Sequence, residues 1–147
     1  MIRSFSLSDL ERILEIERQA FPKSPYDWAT FISLHYLYPG TFWVHVEKLN
    51  PQEEEKILGY IVFSLDGHII SIAVDPQFRR KGIGKGLLLK VMSRPNMRQV
   101  KAEVRRSNTG ARAFYSRLGF RVQGVIPDYY GNEDALVMMW TRPQLKE

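Results

Sequence analysis

The sequence predicts an α/β protein, a mixed sheet of about seven strands with helices on both faces. Three observations carry this. Short apolar runs of strand length alternate with segments whose apolar residues recur at helical spacing. The run from His68 to Val125 reads strand, helix, strand, helix, strand, and such crossovers favour parallel neighbours. The chain of 147 residues has no internal repeat or linker, so residues 1–147 form one domain with room for a sizeable core.

The elements follow in order. Ile2–Phe5 is a first strand. Ser6-Leu7-Ser8-Asp9 is a capping box, a Ser with an acid three residues on. Leu10, Ile13, Leu14, Ala20 and Phe21 then keep helical spacing, with Glu17 as the polar exception on that stripe. Ser24-Pro25-Tyr26-Asp27 starts a second helix with Pro at its first position. That helix runs through Trp28, Phe31, Ile32 and Leu34 and stops before Pro39-Gly40. Strands follow at Thr41–Glu47, Ile57–Leu65 and His68–Asp75, the last two joined as a hairpin by Asp66-Gly67. A helix opens at Gly82 or Ile83 and passes through Leu87, Leu88, Val91 and Met92. Val100–Arg105 is a strand. Ser107 or Asn108 caps a helix through Ala111, Phe114, Tyr115 and Leu118, closed by Gly119. Phe120–Val125 and Ala135–Thr141 are the last strands, around a polar loop.

Composition narrows the function. Hydrophobic residues make up 44% and charged residues 25%, as in a globular protein. No apolar run is long enough to span a membrane, and the first residues have no apolar core of a signal peptide. Cysteine is absent, which excludes disulfides, cysteine-based zinc sites and a cysteine nucleophile, and fits a cytoplasmic protein. His35, His45 and His68 have no ligand spacing, so no metal is expected. The net charge of +5 is unevenly distributed. Residues 76–127 hold 13 Lys/Arg and one acid, Glu103, whereas residues 1–75 hold 6 and 11. A basic block of this kind suits a polyanionic partner, either a phosphorylated cofactor or a nucleic acid.

Ile72-Ala73-Val74-Asp75-Pro76-Gln77-Phe78-Arg79-Arg80-Lys81-Gly82-Ile83-Gly84-Lys85-Gly86 favours the cofactor. It is a strand, a basic turn and glycines at a helix start. There, free N–H groups and the positive end of the dipole meet, and glycines allow a phosphate close to the backbone. A Walker A loop needs Gly where Arg79 stands, and a dinucleotide fingerprint needs Gly where Leu87 stands. What remains is Arg79-x-x-Gly82-x-Gly84, read as a pyrophosphate site.

That pattern after "SIAVDP" resembles the acetyl-coenzyme A signature of the GNAT N-acetyltransferases. With "AEVRRSN" at 102–108 and "ARAFYSRLGF" at 111–120, the chain resembles the RimI-type ribosomal-protein N-terminal acetyltransferases and the archaeal N-alpha-acetyltransferases. "AFPKSPYDW" at 20–28 and "DYYGNEDALVM" at 128–138 are similar to the same group. The stretch 92–100 is a few residues shorter than usual there, with Pro95 ending the helix. The resemblance implies the GNAT fold, acetyl-CoA as cosubstrate and no metal. It places Arg79, Arg80, Lys81, Gly82, Ile83, Gly84 and Lys85 at the cofactor phosphates. Ala73 and Val74 meet the pantetheine arm by backbone, and a strand-edge N–H near Val74 polarises the thioester carbonyl.

Two residues have rival readings. Glu103 shares a strand face with Lys101 and Arg105 and can be their ion-pair partner. A carboxylate at a strand end can equally take the proton of an α-amine, whose pKa near 8 keeps most of it charged at pH 7; the resemblance makes it the general base. Tyr115 lies at core spacing in its helix, yet a phenol can protonate a departing thiolate, and the resemblance places it beside the coenzyme sulfur. Asn108 is an N-cap that by resemblance also bonds the pantetheine. Phe21 and Pro22, with Tyr129 and Tyr130, are implied to flank the acceptor.

The expected activity is transfer of acetyl from acetyl-CoA to the α-amino group of a protein N-terminus, such as that of a ribosomal protein, by direct attack in a ternary complex. The alternatives are acetylation of a lysine or a small polyamine, and a nucleic-acid-binding module using the 76–127 block. No membrane partner is expected, and nucleic acid is the disfavoured reading, since the block gathers its glycines at one helix start.

Overall fold

The computed structural model describes residues 1–144. Its strands are β1 (Ile2–Ser4), β2 (Phe42–Lys48), β3 (Glu55–Phe63), β4 (Ile69–Val74), β5 (Gln99–Arg105), β6 (Arg121–Ile126) and β7 (Ala135–Thr141). Its α-helices are α1 (Leu10–Ala20), α2 (Trp28–Leu37), α3 (Ile83–Met92) and α4 (Thr109–Arg117). Seven strands thus form, in two sheets ordered β1-β2-β3-β4 and β5-β7-β6. The chain divides into two units, Met1–Ser64 with Ile70–Val91, and Leu65–Ile69 with the chain from Met92 onward.

In the first unit the sheet carries helices on both faces. Phe42 pairs with Val62 and Val44 with Tyr60, so these four share a face. They pack with Ile13 and Ile16 of α1 and Phe31 and Leu34 of α2. On the alternate residues Trp43 pairs with Ile61 and meets Phe63 edge-on, and Lys90 of α3 lies 5.2 Å above the Trp43 ring. α3 therefore covers the opposite face. Ser6 does cap the first turn, donating its N–H to the Asp9 carboxylate at 2.9 Å. The second helix starts later than Pro25. Asp27 is its cap, accepting the Thr30 N–H at 2.9 Å. Tyr26 lies before this cap, with its N–H on Glu17 Oε2 at 2.9 Å.

In the second unit β5 and β6 do not pair. β7 lies between them, antiparallel to both, so the expected parallel neighbours are replaced. The parallel pairing reduces to a single bridge, His68 to Lys101, just before β4 begins. Gly67 makes that bridge. Its φ is +94°, and a Cβ there would lie 2.0 Å from the Gln99 carbonyl oxygen, so only glycine fits. Its own carbonyl accepts the Lys101 N–H at 2.9 Å. β5 buries Val100, Ala102 and Val104 and leaves Lys101, Glu103 and Arg105 half-buried on the other face. α3 ends at Met92. There the Arg142 guanidinium gathers the carbonyls of Met92, Arg94 and Met97 at 2.8, 2.9 and 2.8 Å, supplying a C-terminal cap that no local pattern announces.

Candidate active site

The first unit holds the basic turn. Asp75 ends β4, almost fully buried, with its N–H on the Leu58 carbonyl at 2.8 Å. Its carboxylate accepts Arg12 Nη2 at 2.6 Å and the Gln77 N–H at 2.9 Å, which fixes the 3-10 turn Pro76–Phe78. Burial pushes the Asp75 carboxyl up, but Arg12 and the Gln77 N–H outweigh it and hold it below the ordinary value. Beyond this turn Arg79, Arg80 and Lys81 are exposed. Arg80 and Gly82 have φ of +65° and +78°. The Gly82 carbonyl accepts the Gly86 N–H at 2.9 Å and so begins α3. A helix leaves its first N–H groups without intrahelical partners, and here they belong to Ile83, Gly84 and Lys85.

These residues fit a pyrophosphate. A Cβ placed on Gly82 would meet nothing within 4 Å, so the space over the helix start is open. Backbone N–H donors and the side chains of Arg79, Arg80, Lys81 and Lys85 form a donor-only, cationic set suited to phosphate oxygens. The adjoining β4 is the last strand of its sheet. Because Asp75 bonds toward β3, alternation turns the N–H and C=O of Val74 to the open edge. The Ala73 carbonyl faces Gly59 of β3. Phe21 and Pro22 also lie in this unit, directly after α1, Phe21 half-buried and Pro22 exposed.

The second unit holds Glu103 and Tyr115, the two residues with rival readings. Glu103 is paired with neither Lys101 nor Arg105. His68 Nε2 lies 2.7 Å from its Oε2 and 3.0 Å from its Oε1. Facing an ionised carboxylate, that nitrogen carries the proton and donates. Arg105 turns instead to Glu133 at 3.2 Å and stacks 4.2 Å above the Tyr130 ring. Glu133 also accepts the Ser107 N–H at 2.6 Å, and Asp134 accepts the Asp128 N–H at 3.0 Å. The β6–β7 loop is thereby tied to the end of β5, with Tyr129 and Tyr130 edge-on at 4.9 Å.

Tyr115 is buried, with ring centroids 5.2 Å from Phe114 and 5.1 Å from Phe120. Its core placement is therefore real. Its hydroxyl makes no hydrogen bond to any described residue. Burial, with the fields of Tyr130 and Glu103, pushes the phenol far above its ordinary value. Burial and Glu103 also raise Tyr129. Glu103 thus lies in electrostatic reach of two tyrosines that the sequence singled out. Asn108 does cap α4, its Oδ1 accepting the Ala111 N–H at 3.0 Å, and the side-chain amide nitrogen is a donor the cap leaves unused. Among the described residues no cluster of three or more His, Asp or Glu could hold a metal ion.

Sequence reading passed over His68, which lies 35 residues from its partner Glu103. It also passed over Glu133, Arg142 and the role of Glu17; only Glu17, a carboxylate on an apolar stripe, left a local signal.

In the first unit a basic glycine turn at a helix start, beside a sheet-edge strand, suits a phosphorylated donor, and the second unit carries a carboxylate–imidazole pair within electrostatic reach of two tyrosines. Residues 10–120 match the acetyltransferase (GNAT) family, and the chain belongs to that family. It is 38% identical, over 99% of its length and 94% of the relative's, to a Methanocaldococcus jannaschii protein described as an uncharacterized N-acetyltransferase. It is 33% identical to the N-alpha-acetyltransferase of Sulfurisphaera tokodaii, over 93% and 90%. The crystal structure of the ribosomal-protein-S18-alanine N-acetyltransferase from Escherichia coli superposes with a TM-score of 0.79 at 27% identity, covering 100% of this chain and 96% of that one. The protein is an acetyl-CoA-dependent N-acetyltransferase of the GNAT type.

Proposed function

We propose that the enzyme acetylates the α-amino group of a protein N-terminus, with Glu103 as general base. The observation that carries this is the half-buried Glu103 carboxylate, oriented by His68 and near Tyr115 and Tyr129. An α-ammonium of pKa about 8 needs only a modest base near pH 7, and a carboxylate held by an imidazole supplies one. Relatives named N-alpha-acetyltransferase and ribosomal-protein-alanine N-acetyltransferase support the choice of acceptor, and a ribosomal protein is the first to try. The Cys-free composition supports a cytoplasmic setting.

Acetyl-CoA, when bound, supplies an acetyl thioester open to attack by a neutral amine. Arg79, Arg80, Lys81, Lys85 and the N–H groups of Ile83 and Gly84 hold the pyrophosphate, and the Asn108 amide and the β4 backbone bind the pantetheine. The Val74 N–H, turned to the open edge, polarises the thioester carbonyl. Phe21, Pro22, Tyr129 and Tyr130 flank the acceptor. As the N–C bond forms, Glu103 takes the amine proton and His68 steadies the carboxyl. As the C–S bond breaks, Tyr115 Oη gives its proton to sulfur.

The test is acetylation of a peptide array with acetyl-CoA, the product sites mapped by mass spectrometry. Acetyl on α-nitrogens supports the proposal. Acetyl confined to lysine side chains, or turnover with polyamines alone, contradicts it.

A further inference from the structure

The apolar stripe of α1 carries one carboxylate. Glu17 is 2% exposed, beside Ile13 and Ile16, which are wholly buried. A buried charge is costly unless its lone pairs are taken by donors. Glu17 Oε2 accepts the Tyr26 N–H at 2.9 Å, and Oε1 accepts the Tyr60 hydroxyl from β3. Tyr60 Oη is in turn 2.8 Å from Ser71 Oγ on β4. Burial raises the Glu17 carboxyl, while the bonds from Tyr26 and Tyr60 pull it down. The main-chain carbonyl of the same residue accepts the Phe21 N–H at 2.8 Å.

One residue therefore holds both ends of a short segment. Phe21 is fixed through the carbonyl of Glu17 and Tyr26 through its carboxylate. The segment between is neither helix nor strand, residues 22–26 are exposed, and the Tyr26 ring meets Phe31 edge-on at 5.8 Å. An apolar residue at position 17 would complete the stripe without desolvating a charge. What it could not do is accept the Tyr26 N–H.

We propose that Glu17 is the positioning residue of the acceptor loop: by pinning Phe21–Tyr26 it places Phe21 and Pro22 for the incoming peptide, and so governs the KM for peptide and not that for acetyl-CoA. This rests on the reading of Phe21 and Pro22 as acceptor-binding residues.

Glu17→Leu keeps the volume and the stripe and removes only the acceptors. In the full-length enzyme it should raise the peptide KM roughly tenfold, the scale of one lost charge-assisted hydrogen bond. The KM for acetyl-CoA should stay within about twofold, since that contact is untouched. Amide exchange should quicken in residues 21–27 and not in the sheet. Glu17→Gln should restore the peptide KM, because its Oε1 can accept from Tyr26 and its Nε2 can donate to Tyr60 Oη. If the Leu variant does not fold, Tyr26→Pro removes the same bond from the loop side and should raise the peptide KM alone. Unchanged exchange in 21–27, or equal changes in both KM values, would overturn the proposal. Phe21→Ala separates the two layers. If it raises the peptide KM and Glu17→Leu does not, positioning by Glu17 is wrong. If neither does, the acceptor-loop reading falls and this proposal with it.

Discussion

Replacing Asp75 by Ala removes the group that joins α1 to the start of the basic turn. Two accepted bonds are lost, from Arg12 Nη2 at 2.6 Å and from the Gln77 N–H at 2.9 Å. Breaking a buried ion pair from one side costs about 3–5 kcal/mol. Arg12 keeps the Ile57 carbonyl and Glu15, both at 2.8 Å, so its charge is not stranded and the lower end, about 3 kcal/mol, applies. For a chain of this size that is a fall in melting temperature of about 6–12 °C near pH 7. Asp75→Asn keeps an acceptor for the Gln77 N–H and should lie in between. The pH dependence follows from the sign of the shift. The folded carboxyl is held below its ordinary value, so the unfolded chain binds the proton more readily. The stabilisation is fully present above the unfolded pKa of about 3.9 and is lost as pH falls through the folded value. Thermal melts of wild type and Asp75→Ala from pH 3 to 8 should therefore converge at the acid end. A loss under about 2 °C at pH 7, below what even 1 kcal/mol gives, or a gap that persists undiminished to pH 3, would refute the reasoning.

Other outcomes follow for one residue in each unit. Gly82 has φ of +78°, so Gly82→Val strains the backbone by roughly 1–2 kcal/mol and fills the open space over the helix start. The variant should stay folded but lose the rise in melting temperature that acetyl-CoA produces by binding the folded state; an undiminished rise contradicts the pyrophosphate assignment. Tyr115 makes no hydrogen bond to described residues, so Tyr115→Phe should cost little stability. It should slow turnover with acetyl-CoA and be largely rescued by an acetyl donor whose thiol has a much lower pKa. Equal impairment with both donors would mean misplaced substrate, and none with either would leave Tyr115 a core residue only.

Local features were legible in the sequence because short-range chemistry sets them. The Asp66-Gly67 turn, the caps at Ser6 and Asn108, and the glycine turn at the head of α3 are written in adjacent residues. The start of α2 was misplaced because Pro25 and Asp27 carry rival signals two residues apart. The Asp27 carboxylate takes the Thr30 N–H and makes Asp27 the cap. The insertion of β7 between β5 and β6 is a long-range pairing, and periodicity is blind to partners. The same limit hid His68. Glu103 could be seen as the lone acid of a basic block, but Lys101 and Arg105 looked like its natural partners, and only the fold brings an imidazole to it while sending Arg105 to Glu133 and Tyr130.

The central claim is that Glu103 removes the proton of an α-amine. The most direct measurement is kcat for Glu103→Gln against pH, from 6 to 10, with a peptide acceptor and saturating acetyl-CoA. Glutamine keeps an acceptor for His68 Nε2 and cannot take a proton, so the fold and the KM for acetyl-CoA should be preserved. Turnover at pH 7 should fall roughly 10²–10⁴-fold, the usual worth of a general base. The deficit should shrink above about pH 8, where the amine is already neutral. A variant that turns over at the wild-type rate at pH 7, or whose deficit is the same at every pH, would contradict the account.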